Sequence, residues 1–254
     1  MPGGGSALSD EALIAASKLE PAPPVPRPGQ FLYLRDVESK AGTGCGTTIG
    51  QVWMAPDGAG RQTGTYPAPK CSGANFAQSW PKSQATGDNP ISWPLNLLGW
   101  DGLPTSPAAL QHAIVRRFEG GRAHTEATFT YAAAFLQEDA PPAVRAALFR
   151  VIERLPGVQN LGLATDQLGR RGQGVGLAQG GMLRELIFNP VTSRALEVKF
   201  VAVGPRQEGN NYQSAGTSLG YTLYVTCGVV DSDTATLPAF PGLTPAQQDR
   251  QSPR

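Results

Sequence analysis

Few residues in this chain have the types and spacing that catalysis requires. The segment GTSLG at residues 216–220 matches the nucleophile motif of serine hydrolases, with Ser218 as the nucleophile. That motif works when a helix follows the serine, whereas the alternation of residues 221–225 predicts a strand there. Both histidines, His112 and His124, precede Ser218. We expect a flexible turn that enters a strand, and a serine hydrolase using Ser218 remains the alternative function.

The other chemical motifs are incomplete. The segment SWPK at residues 79–82 matches S-x-x-K, but it reads as a loop and no K-T-G partner follows. The histidines and cysteines lack the spacing of a metal site, and the glycine pairs lack the third glycine of a dinucleotide fingerprint. Arg170 and Arg171 are expected in a solvated turn. The sequence therefore predicts no enzyme, no metal and no cofactor.

Composition limits the classes of partner. The 254 residues include 21 basic and 20 acidic side chains, a net charge of +1. This balance argues against binding nucleic acid or an anionic membrane by bulk charge. Charged residues are 16% of the chain, against about 25% on average. The 31 glycines and 23 prolines predict many turns and short strands.

The order of elements predicts one folded domain. Residues 1–29 read as a short helix followed by a proline-rich spacer, residues 30–232 as a single domain, and residues 233–254 as a disordered tail. Strands are expected early, an irregular loop at 67–90, three helices in the middle, and successive strands on short turns after 158. This pattern predicts an α+β fold: a curved antiparallel sheet with about three helices packed on one face.

The apolar segment ISWPLNLLGW at residues 91–100 suggests a ligand-binding region. Its side chains would form the mouth of an apolar pocket, with Trp93, Leu97 and Trp100 as candidate ligand-binding residues. Alternatively, the segment is a loop that packs on the core, since tryptophan and leucine normally bury.

The cysteines bear on the compartment. Cys45 and Cys71 flank a predicted β-hairpin, and a disulfide between them would stabilise the fold by about 3 kcal/mol. The alternative is two free thiols in a reducing cytosol. Cys227 alternates within a strand and is expected to be a small core residue.

Neither a transmembrane segment nor a signal peptide is recognisable in this sequence. Either the protein is cytoplasmic, or targeting sequence has been removed. The predicted disulfide favours the second reading and an extracytoplasmic location.

Several segments, in order, resemble elements of a known family. They read LPTSPAAL (103–110), PPAVRAALFR (141–150), QLGRRG (167–172) and RELIFNP (184–190), with PGQFLY (28–33) and WMAPDG (53–58) before them. Together they resemble an uncharacterised actinobacterial family of membrane-tethered extracytoplasmic proteins. Ser106 and Asn189 stand where the family has aspartate, and the membrane tether is missing from this chain.

The resemblance implies an anti-sigma-like or envelope context and no catalytic residue. With the scarcity of titratable groups, it predicts a non-catalytic extracytoplasmic binding or sensing domain at the bacterial cell envelope. The expected partner is a lipid or other apolar ligand, or a protein, and not nucleic acid. A structural envelope protein that self-associates through an edge strand is a further alternative.

Overall fold

The computed structural model describes residues 26–40, 46–81, 103–117, 124–137, 140–208 and 211–239. Nine antiparallel strands form one open curved sheet.

The first half of the sheet comprises β1 (Phe31–Lys40), β2 (Thr47–Met54), β3 (Gly60–Thr65) and β4 (Phe76–Trp80), with a 3-10 helix at Pro69–Ala74 before β4. The second half comprises β5 (Val158–Thr165), β6 (Arg171–Gln179), β7 (Met182–Phe188) and β8 (Ala195–Ala202). Two short strands, β9 (Arg206–Glu208) and β10 (Asn211–Gln213), form a separate hairpin, and β11 (Ser218–Val230) lies between the two halves. The order of the strands in the sheet is β4-β3-β2-β1-β11-β8-β7-β6-β5.

The helices are α1 (Pro107–Arg117), α2 (His124–Gln137) and α3 (Pro142–Arg154). Proline occupies the first position of α1 and of α3, where the missing N–H leaves no hydrogen bond unmade. Apolar residues recur at helical spacing along α3, and Val144, Leu148 and Ile152 are all buried. Phe149 of α3 packs on Phe188 of β7, with ring centroids 4.7 Å apart. The predicted α+β fold with helices on one face of a curved antiparallel sheet is therefore confirmed.

The chain after β11 packs on the face opposite the helices. The Nε1–H of Trp53 donates a hydrogen bond to the Ala235 carbonyl (2.8 Å), and the Arg61 guanidinium donates to the Asp233 carbonyl (3.1 Å). Leu237 packs beside Trp53, Tyr33 and Val230. Residues 233–237 thus pack on the sheet, although the sequence places them in a disordered tail. Residues 240–254 lie outside the described residues, and so do residues 1–25, which include the predicted N-terminal helix and most of the proline-rich spacer.

Two further differences concern short strands. Residues 67–90 are predicted to be irregular, but residues 76–80 form β4, whose five residues pair with β3 from Gly60–Trp80 to Gly64–Phe76. The β9–β10 hairpin was not predicted from the sequence either. β4, β9 and β10 are each too short for an alternating pattern of apolar and polar residues to be recognised in the sequence.

β11 is the strand on which the two halves of the sheet depend. Its residues 220–230 pair with β1, whereas only residues 218–223 pair with β8. The ladder to β1 shifts register between Arg35 and Asp36, which pair with Thr226 and Tyr224. Beyond Leu223 the paired residues on β8 end, so β8 and β11 separate there and leave backbone carbonyls that need other donors.

The Arg170 side chain fills this separation. Its Nη2 donates hydrogen bonds to the Leu196 carbonyl of β8 (2.9 Å) and to the Tyr224 carbonyl of β11 (2.8 Å). Its Nε donates to Asp166 (2.6 Å), whose side chain is fully buried. Arg170 therefore links the β5–β6 turn to both strands, and it is not the solvated turn residue that the sequence suggests.

We predict that Arg170→Ala destabilises the fold by about 3–5 kcal/mol, because it leaves the Asp166 carboxylate buried without its guanidinium and two carbonyls without a donor. Arg170→Lys keeps the charge but not the forked donors, so it should recover only part of this loss. Urea unfolding followed by circular dichroism measures both. Arg150→Ala, which removes a half-exposed arginine from α3, is the control and should change stability little. An Arg170→Ala protein as stable as this control would contradict the assignment.

Candidate functional site

A pocket of about 140 Å³ lies on the β1–β4 half of the sheet. Its volume is close to that of an engineered protein cavity that binds one benzene molecule, about 150 Å³. Asp36 of β1 pairs with Tyr224, which belongs to the core beneath the helices, so the pocket opens on the helix-bearing face. Four strands contribute to the lining: Asp36, Glu38, Thr48, Gly50, Gln51, Val52, Gln62, Thr63, Gly64 and Phe76. We call this site the acidic pocket, because two of these residues are carboxylic acids and none is basic.

Glycines form the floor of the acidic pocket. Gly50 lies opposite Asp36, and Gly64 lies opposite Phe76 on the next pair of strands. A Cβ atom at Gly50 would collide with the Asp36 carboxylate, and one at Gly64 would collide with the Phe76 ring. The absence of these Cβ atoms lets the carboxylate and the ring lean across neighbouring strands toward each other. The sequence thus creates a concave site on a sheet by leaving out two side chains.

Trp80 on β4 repeats this arrangement beside the pocket. Its ring occupies the space that a Cβ atom at Gly60 would need, and its Nε1–H donates to the Gly58 carbonyl at 3.0 Å. Two aromatic rings on the edge strand therefore lie over glycines of β3, which fixes the wall of the pocket formed by Phe76.

The electrostatics of the acidic pocket favour a cation. Burial, and after it the negative charge of Glu38, together raise the pKa of Asp36 from 3.8 to about 7. Hydrogen bonds from the backbone N–H groups of Asp36 and Gly50 act in the opposite direction. A positive ligand would relieve the repulsion between the two carboxylates, and Phe76 places an aromatic ring in the lining of the pocket.

A second polar cluster lies where the β5–β6 turn meets β8 and β11, and it comprises Asp166, Arg170 and Glu197. Glu197 of β8 is 0% exposed; its Oε2 accepts a hydrogen bond from the Gln167 N–H (2.8 Å), and its Oε1 has no partner. Burial raises its pKa from 4.5 to about 7, the Gln167 N–H and Lys199 lower it, and Asp166 and Glu185 raise it. Because this cluster is closed to solvent, its role is to hold the β5–β6 turn against β8 and β11.

None of the described residues that the sequence analysis singled out lies in the acidic pocket. Trp93, Leu97 and Trp100 fall outside the described residues, so the apolar pocket that they suggest stays a prediction. Ser218 is exposed at the first position of β11, opposite Val201, and the turn before it contains Gly216 with φ 84°. The motif leads into a strand, as expected, and not into the helix that a nucleophile elbow needs.

The cysteines are placed in part. Cys71 is buried in the 3-10 helix, and Cys45 lies outside the described residues, so the disulfide between them stays a prediction. Cys227 keeps its thiol and packs with Leu32 and Leu34, which agrees with the expected core role. Among the described residues, no group of three acidic, histidine or cysteine side chains could hold a metal ion.

Sequence reasoning missed the acidic pocket, although a signal was present. Asp36 shares a strand face with Leu32 and Leu34, so alternation alone puts its carboxylate on an apolar face. An acidic residue at an inward position next to glycine-rich strands indicates a functional or strained site.

This chain matches no known family model, and no curated protein matches it either. The resemblance to a membrane-tethered family therefore stays a prediction. None of the described helices combines the length and the apolar character that crossing a membrane requires.

We predict that stability falls as pH rises from about 4.5 to about 7, since the folded state keeps the Glu197 proton that the unfolded state releases. Asp36 acts in the same direction, because its pKa is also raised on folding. Glu197→Gln should weaken this dependence and be more stable than the wild type above neutral pH, by about 1–3 kcal/mol. Urea unfolding at a series of pH values measures the slope. Glu153→Gln on α3 is the control, and a Glu197→Gln slope equal to that of the control would contradict the prediction.

We predict that the Cys45–Cys71 bridge can be read directly from mass. Alkylation of the denatured, unreduced protein should add one label, on Cys227, and alkylation after reduction should add three. Three labels without reduction would show that the bridge is absent.

Proposed function

We propose that this protein is a non-catalytic binding domain at the bacterial cell envelope, and that its acidic pocket takes an alkylammonium group. The observation that carries the proposal is a glycine-floored pocket in which a partly buried carboxylate and an exposed aromatic ring face the same space. The envelope location is supported by the resemblance described above and by the predicted disulfide.

The size and lining of the pocket favour this ligand class. A cavity of about 140 Å³ has room for an ammonium group with a short alkyl chain, but not for a lipid with two acyl chains. Asp36 and Glu38 supply negative charge, Thr48, Thr63 and Gln62 line the pocket with polar groups, and Phe76 supplies a ring face. The apolar ligand predicted from sequence rests on residues 91–100, which the structure does not describe, whereas the pocket among the described residues is acidic.

Binding without catalysis agrees with the chemistry of the pocket. Its lining contains no histidine, lysine, cysteine or serine, so neither a histidine nor a lysine is present there to activate the hydroxyl of Thr48 or Thr63. Because its pKa is raised, the Asp36 side chain is only partly ionised near neutral pH. A bound cation would lower this pKa and so favour loss of the proton. Affinity for an amine should therefore depend on pH around neutrality.

The test is calorimetric titration with n-butylamine, an alkylammonium ion across the range used because amine pKa values lie near 10. The affinity should be about tenfold weaker at about pH 6 than at about pH 8, since Asp36 is mostly protonated at the lower pH. Asp36→Asn should weaken binding at least about tenfold and remove the pH dependence.

Matched variants and ligands sharpen this experiment. Asp57→Asn removes a carboxylate from the exposed β2–β3 turn and should leave binding unchanged. A peptide with one internal lysine distinguishes a protein partner from a free amine, because only the peptide gains affinity from contacts outside the pocket. Failure of both ligands to bind the wild type, or equal binding by Asp36→Asn, would refute the proposal.

A further inference from the structure

Among the described strands, β4 has a neighbour on one side only. It ends the sheet and pairs only with β3 among the described strands. Its residues Phe76–Trp80 carry no charge, the first four are exposed, and Phe76 is 45% exposed. An edge of this kind presents a row of N–H and C=O groups without partners, which is a template for strand addition.

The opposite edge of the sheet is protected, and β4 is not. The pairing of β5 with β6 shifts register between Asn160 and Gly162, and Gly162 has φ 74°. Such a bulge twists an edge away from flat pairing. The pairing of β4 with β3 runs through five consecutive residues without a shift, and neither proline, lysine nor a bulge interrupts it. The two edges thus differ in the devices that prevent association.

The residues of β4 are also self-complementary. We propose that two copies of this chain pair antiparallel through β4, about a two-fold axis that passes beside Gln78. In this register Gln78 lies opposite Gln78 of the second copy, and Phe76 lies opposite Trp80 of the second copy on the helix-bearing side. Both rings lie over glycines of β3 and not across the edge, so backbone hydrogen bonds join the two copies, and no like charges meet because the strand has none.

The size of the contact sets its strength. A five-residue ladder of backbone hydrogen bonds buries well under the roughly 1,600 Å² of a standard stable interface. The dimer is therefore weak, with a dissociation constant in the micromolar to millimolar range. Because Phe76 also lines the acidic pocket, pairing places the pockets of the two copies on the same face of one continuous sheet.

Charge exchange at the symmetry position tests the register. The experiment measures sedimentation of the full chain over a concentration series up to millimolar, for the wild type, Gln78→Lys and Gln78→Glu. The wild type should dimerise, and each variant alone should lose at least about tenfold in association, because like charges then lie opposite each other. An equimolar mixture of the two variants should recover a heterodimer, because Lys then faces Glu. Gln159→Lys on the exposed edge strand β5 is the matched control and should dimerise as the wild type does.

Each other outcome overturns the proposal. A wild type that is monomeric at every concentration shows that another segment or another protein's strand occupies this edge. Dimerisation that survives in both Gln78 variants places the interface elsewhere, and loss without recovery in the mixture refutes the register. If either charged variant is misfolded by circular dichroism, Gln78→Cys replaces it: mild oxidation should cross-link two copies, whereas Gln159→Cys should give none, and the reverse would refute the pairing.

Discussion

The fold depends on β11, the strand that pairs with β1 of one half of the sheet and with β8 of the other half. β11 pairs with β1 over residues 220–230 but with β8 only over residues 218–223, and β8 and β11 separate beyond Leu223. Separation of strands inside a sheet exposes carbonyls that have no ladder partner. The Arg170 guanidinium supplies donors to both strands and is itself neutralised by Asp166. A buried cation with fixed donors can join strands that no longer reach each other, which allows the two halves to differ in role.

The two halves do differ in how they are stabilised. The β5–β8 half carries the main apolar core, because the helices bury Phe129, Phe149 and Phe188 against it. The β1–β4 half has two small clusters, one on each face, with the segment after β11 covering Trp53 and Tyr33. Less packing leaves room for polar groups on its helix-bearing face. The acidic pocket occupies that room, and its shape comes from Gly50 and Gly64 as much as from the residues that line it.

Much of the architecture follows from local patterns. The stripes of α3 and the short turns after residue 158 predicted the helices and the antiparallel sheet, since each pattern expresses one buried face. Along β1, neighbouring residues alternate between the two faces of the sheet, so Tyr33 and Leu34 belong to different clusters. What the patterns could not reveal depends on distant contacts. In the sequence Arg170 is typical of a turn, because its hydrogen-bond partners Leu196 and Tyr224 are distant in the chain. The strand β4 forms by pairing with β3, a contact that its five residues do not indicate by themselves.

The acidic pocket was missed for the same reason. Asp36 and Phe76 are far apart in the chain, and neither indicates a site by itself. The strand register places Asp36 opposite Gly50 and Phe76 opposite Gly64, which brings both side chains to the pocket. Once they meet, charge and shape favour recognition of a cation over chemical transformation.

The most direct measurement of this account is the ionisation of Asp36, followed by carbon-13 NMR of its carboxyl carbon. We expect the Asp36 carboxyl to have a pKa of about 7 in the free protein, and we expect this pKa to fall when n-butylammonium saturates the pocket. A carboxyl that titrates near the ordinary value of 3.8 and does not respond to the amine would contradict it.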